Sequence, residues 1–403
     1  MIETWLLEIA KGIGKMFLNP MLYWALFLVV ISGSLRIYKE RHQFNTKVKD
    51  LFTEWKGTFP FVLLSFVILS LITVGAGMVL SYETILILNI VVILLSLTTR
   101  FTLLSAAYSV GITYIILYFL PYIYQNDTYF QDTNFQGLAI LLGLLLVAEA
   151  VLLFRVKQDD MFAELEKTKR GKWVGIQHLK KMSILPLFIL IPIGTIEPFA
   201  SYWPYVTIGG TTFGLFLLPM CIGFDYRVKS SRPMIAKKTL AQSTLWIGIL
   251  TLGLAIGSIY LEVLSLVAVC LAFLLKEWMH YSFRMKENKG KHFFSNLDEG
   301  LQILTILPHS PAERFELIPG EIVIKVNGKR IYNEEDLYES LEKTGSYCKI
   351  EVLDLDKEKR VVQGALYEGE HFRLGIIFVT EPYDTVKRDL QKEDGEQTAI
   401  ALE

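Results

Sequence analysis

Apolar runs of membrane-spanning length fill the first 278 residues and restrict what the chain can become. Nine stand out: Met16–Leu35, Phe59–Leu80, Thr84–Thr99, Phe101–Tyr122, Gly137–Phe154, Ser183–Tyr202, Tyr205–Phe224, Gln242–Tyr260 and Leu261–Trp278. Crossing ~30 Å of hydrocarbon as a helix takes about 20 residues, and these runs fit that length, the third falling short. The chain of 403 residues is 52% hydrophobic, with mean hydropathy +0.39. Such a composition belongs to an integral membrane protein rather than a soluble globule. The stretches 84–122 and 242–278 are too long for one span each and read as helical hairpins. The expected fold is therefore a membrane all-α helical bundle of about 8–9 spans, followed by a small α/β domain.

Basic residues set the expected orientation. Arg36, Lys39, Arg41, Lys47, Lys49 and Lys56 follow the first run, and Arg155 to Lys181 carries eight Lys or Arg after the fifth. Arg227, Lys229, Arg232, Lys237 and Lys238 follow the seventh. The alternate loop Gln125–Gln136 has Asp127 and Asp132 and no Lys or Arg. Nine spans would put the N-terminus outside and the basic loops and C-terminal domain in the cytoplasm. Residues 1–15 lack the pattern of a cleavable signal. Trp5, Leu6, Ile9 and Ile13 recur there at helical spacing, which fits a helix lying along the interface or an extension of the first span.

Little in the bundle suggests chemistry. Ionisable groups inside spans are functional candidates; Arg100 and Glu149 both approach the inner side and form a candidate intramembrane pair. Charges held near helix ends are the simpler reading. Pro186, Pro192 and Pro219 can kink their spans. None of the six histidines stands in H-E-x-x-H, and no G-x-S-x-G or phosphate-cradling glycine loop occurs. Cys221, Cys270 and Cys348 have neither metal nor redox spacing. No catalytic residue, metal or cofactor is expected, and a net charge of -1 gives no global sign of nucleic acid.

Gly300–Ile331 is a different kind of sequence. Leu301, Ile303 and Ile306 form a β-rich apolar run that Pro308-His309-Ser310-Pro311 interrupts. Pro311 can open a short helix. Pro319-Gly320 marks a turn, Ile322–Val326 a largely buried strand, and Asn327-Gly328 a tight hairpin turn. Ser310-Pro311-Ala312, Pro319-Gly320-Glu321 and Asn327-Gly328 in this order resemble a bacterial PDZ domain. Asn333 is a good N-cap for a helix with Leu337, Tyr338 and Leu341 along one stripe. Cys348–Leu355, Arg360–Leu366 and Phe372–Val379 read as strands.

PDZ domains bind an extended peptide by strand addition beside a helix, with a loop of backbone N–H groups for a terminal carboxylate. Phe293–Glu299 contains no such loop. Arg373-Leu374-Gly375-Ile376 matches it at the other end, an arrangement that resembles the circularly permuted bacterial form. The candidate peptide groove is thus Arg373, Leu374, Gly375 and Ile376, with Leu337 and Leu341 opposite. The expected division is 1–280 polytopic region, 281–292 basic juxtamembrane connector against anionic lipid, 293–382 PDZ domain and 383–403 charged flexible tail. Lys276 is read as part of that basic connector.

The whole layout, with the opening FLNPMLYWALFLVVISGSLRIYKERHQF, resembles the MinJ family of cell-division topological determinants. That resemblance implies a membrane adaptor bridging the polar scaffold DivIVA to the ATPase MinD, so placing the division inhibitor at poles and septa. Other divisome membrane proteins and the lipid bilayer are further expected partners. A PDZ-bearing regulatory subunit of a membrane protease or secretion complex is the alternative, and a transporter with an appended PDZ domain ranks below it.

Overall fold

The computed structural model describes residues 2–123, 133–200, 203–204, 212–296, 299–342, 347–367, 374–383 and 385. Asp127, Asp132, Arg373 and most of the 383–403 tail lie outside the described residues.

Helix α1 spans Ile2–Leu18 and α2 spans Pro20–Phe44. Asn19 separates them: its side chain accepts from the Met21 N–H, and Pro20 takes the first helical position, where its missing donor costs nothing. The helical spacing expected in residues 1–15 is present, but its residues part company. Trp5, Ile9 and Met16 pack on an apolar cluster, whereas Leu6 and Ile13 are exposed. Then come α3 (Phe59–Gly75), α4 (Tyr82–Ser96), a 3-10 turn (Phe101–Leu104), α5 (Ala106–Ile123) and α6 (Phe135–Arg155). Helices α7 (Pro233–Gly257) and α8 (Val263–Lys289) close the region. Both long apolar stretches do fold as helical hairpins, α4–α5 and α7–α8. Helix α6 is buried almost all round and forms the centre of the core. Helices α2, α6, α7 and α8 are long and apolar enough to cross a membrane; α3, α4 and α5 are shorter apolar helices.

Two expected spans are not helices. Ser183–Tyr202 and Tyr205–Phe224 fall mainly in strands β2 (Trp173–Ile196) and β3 (Phe213–Val228), which pair antiparallel from Gln177↔Val228 to Ile191↔Gly214. Strand β1 (Phe162–Lys167) pairs with the start of β2. The region is therefore not all-α, and Lys180 and Lys181 lie in a strand rather than a loop. Three prolines explain the preference. In a helix interior each would cost about 3 kcal/mol. In the hairpin Pro186 faces Pro219, and a pair of prolines fits a rung that no N–H crosses. The donors of Met182, Phe188 and Leu190, in phase with Pro186, point away from β3 to the Glu54 carbonyl, the Ser70 hydroxyl and the Met78 carbonyl. The outer edge of β2 is thus satisfied by the α2–α3 segment, by α3 and by the turn after it, as an apolar environment requires.

β2 leaves from, and β3 returns to, one end of the bundle. The C-terminal turns of α2 and α8 line one cavity there with residues near the start of β2 and the end of β3.

The C-terminal domain is a mixed structure around its own core. Its elements are β5 (Leu301–Ile306), α9 (Pro311–Arg314), β6 (Ile322–Val326), β7 (Lys329–Arg330), α10 (Glu334–Glu342), β8 (Tyr347–Leu353), β9 (Lys359–Ala365) and β10 (Ile376–Phe378), after a short β4 (Phe294–Ser295). The strand order is β10-β5-β6-β8-β9, with β7 on β6. Local sequence chemistry is realised closely. Ser310 caps α9, Asn333 caps α10 through the Asp336 N–H, and Asn327-Gly328 turns with positive φ at both residues. A register shift between Val323 and Lys325 breaks the simple alternation, so that Val323 and Val326 are buried and Ile324 only partly so.

The domain is fastened to the hairpin. β4 pairs with Val174 and Gly175 of β2, and the Gln177 side chain donates to the Leu304 carbonyl at 2.7 Å. A Cβ on Gly175 would lie 2.4 Å from Leu304 Cδ1 and 2.8 Å from Phe294 Cβ, so a larger residue would push these two side chains aside. Phe294, Leu304 and Val379 share an apolar cluster with Ala163 and Leu165.

Candidate partner groove and buried polar sites

Strand β10 is the edge of the C-terminal sheet, pairing on one side with β5. The residues before it are clamped. The Leu374 carbonyl accepts from the Ala312 N–H at 3.0 Å, and the Gly375 carbonyl accepts from the Leu307 N–H at 2.8 Å. Gly375 has φ +78°, and a Cβ there would lie 2.2 Å from Ser310 Cβ. The loop therefore sits against the Ser310-Pro311-Ala312 turn in a conformation that favours glycine.

Helix α10 faces the same core. Leu337, Leu341 and Leu374 are buried in one cluster, and half-buried Ile376 packs against it. Four of the predicted groove residues thus belong to one apolar cluster. Leu337, Leu341 and Leu374 serve as the floor rather than as an exposed lining, because α10 turns its stripe inward. At the far end of β10 the Thr380 hydroxyl donates to Glu334 at 3.1 Å, joining strand to helix. Burial pushes the Glu334 carboxyl up. Burial likewise pushes the Cys348 thiol to about 11, so it behaves as a small core residue.

The expected Arg100–Glu149 pair is not formed. Glu149 is fully buried on α6 and its partner is Lys276 of α8, at 2.7 Å and equally buried. Ser105 donates to the other carboxylate oxygen at 2.6 Å, and Lys276 also reaches the Thr244 hydroxyl. Arg100 stands exposed before the 3-10 turn. Lys276 is therefore a core residue and not a headgroup contact. The signal was present: it falls in phase with Ala268 and Ala272, four residues apart, on the face α8 buries.

A second polar group joins the sheet strands. His178 on β2 lies 2.5 Å from Glu164 of β1 and 3.5 Å from Asp225 of β3. Burial opposes the charged imidazole, but both carboxylates outweigh it and raise the His178 pKa. Burial also opposes the Glu164 carboxylate; its hydrogen bond to His178 and nearby cations prevail and hold it at about 2. Sequence reasoning had no access to this triad, because it depends on the unforeseen strand pairing.

The PDZ domain family model matches residues 302–353. The cell division topological determinant MinJ of Bacillus subtilis (strain 168) is 32% identical over 407 residues, covering 100% of this chain and 99% of that protein. Probable cell division topological determinants MinJ of Lacticaseibacillus paracasei and Lacticaseibacillus casei (strain BD-II) are each 23% identical over 260 residues, covering 61% of this chain and 66% of theirs. No solved structure matches. Fold and site together define a PDZ protein whose N-terminal region carries helices able to cross a membrane. The full-length similarity places it further: the chain belongs to the MinJ family of cell division topological determinants.

Proposed function

We propose that this protein is a multi-pass membrane adaptor that positions the Min division inhibitor by bridging a DivIVA-like polar scaffold to a MinD-like ATPase. It acts by binding and placement rather than catalysis, at cell poles and division septa, with its PDZ domain in the cytoplasm. The observation that carries this reading is the match to the Bacillus subtilis determinant along the whole chain, membrane region and PDZ domain alike. The basic C-terminal turns of α2 and α8 flank the PDZ-bearing end, which supports a cytoplasmic location under the positive-inside rule.

The groove reading is specific. Leu374-Gly375-Ile376 supplies the loop from the C-terminal end of the domain, in a circularly permuted order, and a partner strand adds along β10. Co-purification of the full chain from host membranes tests both parts. The parent should bring down MinD and DivIVA. Gly375→Trp, which collides with Ser310, should insert normally and lose at least one of them by tenfold or more. Full retention of both by an inserted Gly375→Trp protein would remove the groove from the contact. Recovery of a protease or secretion complex in place of both would overturn the adaptor reading.

A further inference from the structure

A cavity of about 880 Å³ opens at the PDZ-bearing end of the membrane region. Its walls are the C-terminal turns of α2 and α8, the segment before the 3-10 turn, and the polar ends of β1, β2 and β3. Seven lining residues are Lys or Arg and four are Asp or Glu. The four carboxylates are already engaged. Glu40 binds Arg36 and the N–H groups of Val48 and Lys49. Glu287 accepts from the N–H groups of Lys229, Ser230 and Ser231. Glu164 and Asp225 hold His178.

Three cations are left over. Among the described residues, Arg100, Lys180 and Arg284 have no carboxylate within 4.0 Å of their charged nitrogens. Lys180 is half-buried with its ammonium 4.4 Å from the centre of the Phe101 ring. Asp225 and Glu54 act on Lys180 from beyond contact distance, but three cations without a direct carboxylate contact around one cavity leave donors that an anion with several acceptor oxygens would satisfy.

The level of the cavity says which anion. It lies where the apolar stretches of α2 and α8, both able to cross a membrane, pass into basic turns. Tyr38, Trp278 and Tyr281, on those two helices, are each more than 60% exposed, as side chains at a membrane–water interface are. Leu35, Tyr38 and Phe283 add an apolar part to the wall. A free phosphate ion has no use for that apolar part or for that depth. We propose that the cavity is a headgroup site for an anionic phospholipid, its phosphodiester held by Lys180, Arg284 and Arg100. This site stands apart from the PDZ groove and from the choice of protein partner, and it would fix the membrane region in anionic lipid.

The test uses the full chain in nanodiscs of phosphatidylcholine containing phosphatidylglycerol, followed by native mass spectrometry of retained lipid. The parent should retain phosphatidylglycerol over phosphatidylcholine by tenfold or more. Lys180→Gln/Arg284→Gln should lose that preference, and Arg100→Gln, at an exposed side chain, should weaken it without a risk to folding. Lys289→Gln/Lys291→Gln removes the same charge outside the cavity and should keep the preference. Equal retention of both lipids by the parent, or equal loss in the two double variants, would overturn the site. Competition separates the two phosphate sources. Displacement of the lipid by millimolar inorganic phosphate would assign the cavity to a free ion and overturn the lipid, whereas insensitivity to it supports the lipid.

Discussion

Lys276 and Glu149 carry the largest single commitment in the helical core. Taking two charges out of water is expensive, and here the cost is offset by a 2.7 Å contact and by the Ser105 and Thr244 hydroxyls. Removing one partner strands the other. Lys276→Met should therefore cost about 3–5 kcal/mol, while Glu149→Leu/Lys276→Met should melt close to the parent or above it. Thermal unfolding of the purified chain in detergent reads both; a double variant as unstable as the single one would contradict the pairing. The His178 triad makes a pH-dependent contribution. Its imidazole, raised above the ordinary 6.5, stabilises fully below that value and less as pH rises through the raised pKa. Glu164, lowered from 4.5 to about 2, stabilises above 4.5 and less as pH falls towards 2. The destabilisation caused by His178→Gln should accordingly peak between pH 4.5 and 6.5. A cost that stays constant from acid to alkaline pH would show that the triad does not titrate as described.

At the scale of elements, the β2–β3 hairpin is the feature that most changes the picture of the membrane region. Ile184 faces Cys221 in its register. That rung is two residues from Pro186↔Pro219 and so shares its non-hydrogen-bonded character, with Cα atoms about 4.5 Å apart. This separation suits a disulfide. Ile184→Cys, in a background with Cys270 and Cys348 replaced by serine, should crosslink to Cys221 under mild oxidation and shift on a non-reducing gel after cleavage between the strands. Absence of that crosslink, with both thiols accessible to a permeant reagent, would favour the helical reading. The hairpin was hard to read because both of its faces are buried, so polar and apolar residues do not alternate and the runs look like spans. The prolines at 186, 192 and 219, read as kinks, were the one signal against helices. The PDZ elements were legible for the opposite reason. The Ser310 and Asn333 caps and the Asn327-Gly328 turn act within a few residues, so local chemistry sufficed. For the candidate groove, Leu374, Ile376, Leu337 and Leu341 share one apolar cluster, but the inward turn of α10 follows from packing and was not legible. Glu149 was singled out with the wrong partner: Lys276 is 127 residues away and stands at the head of a basic run that masked it.

For the molecule as a whole, the membrane region and the PDZ domain are joined by more than a linker. Strand β4 extends the hairpin's sheet, Gln177 and Gln158 donate to carbonyls of Leu304 and Pro319, and Arg232 pairs with Asp356. A domain held this way presents the edge of β10 from a fixed base, which suits a protein whose task is placement. The charged cavity, the basic turns of α2 and α8 and the PDZ domain all belong to one end. The most direct test is imaging of the fluorescently tagged full chain in dividing cells of its own host, with and without DivIVA. The expected result is signal at nascent septa and poles that disperses into the whole membrane when DivIVA is removed, with MinD following it. Uniform membrane signal in both strains, with MinD placed as before, would contradict the adaptor role.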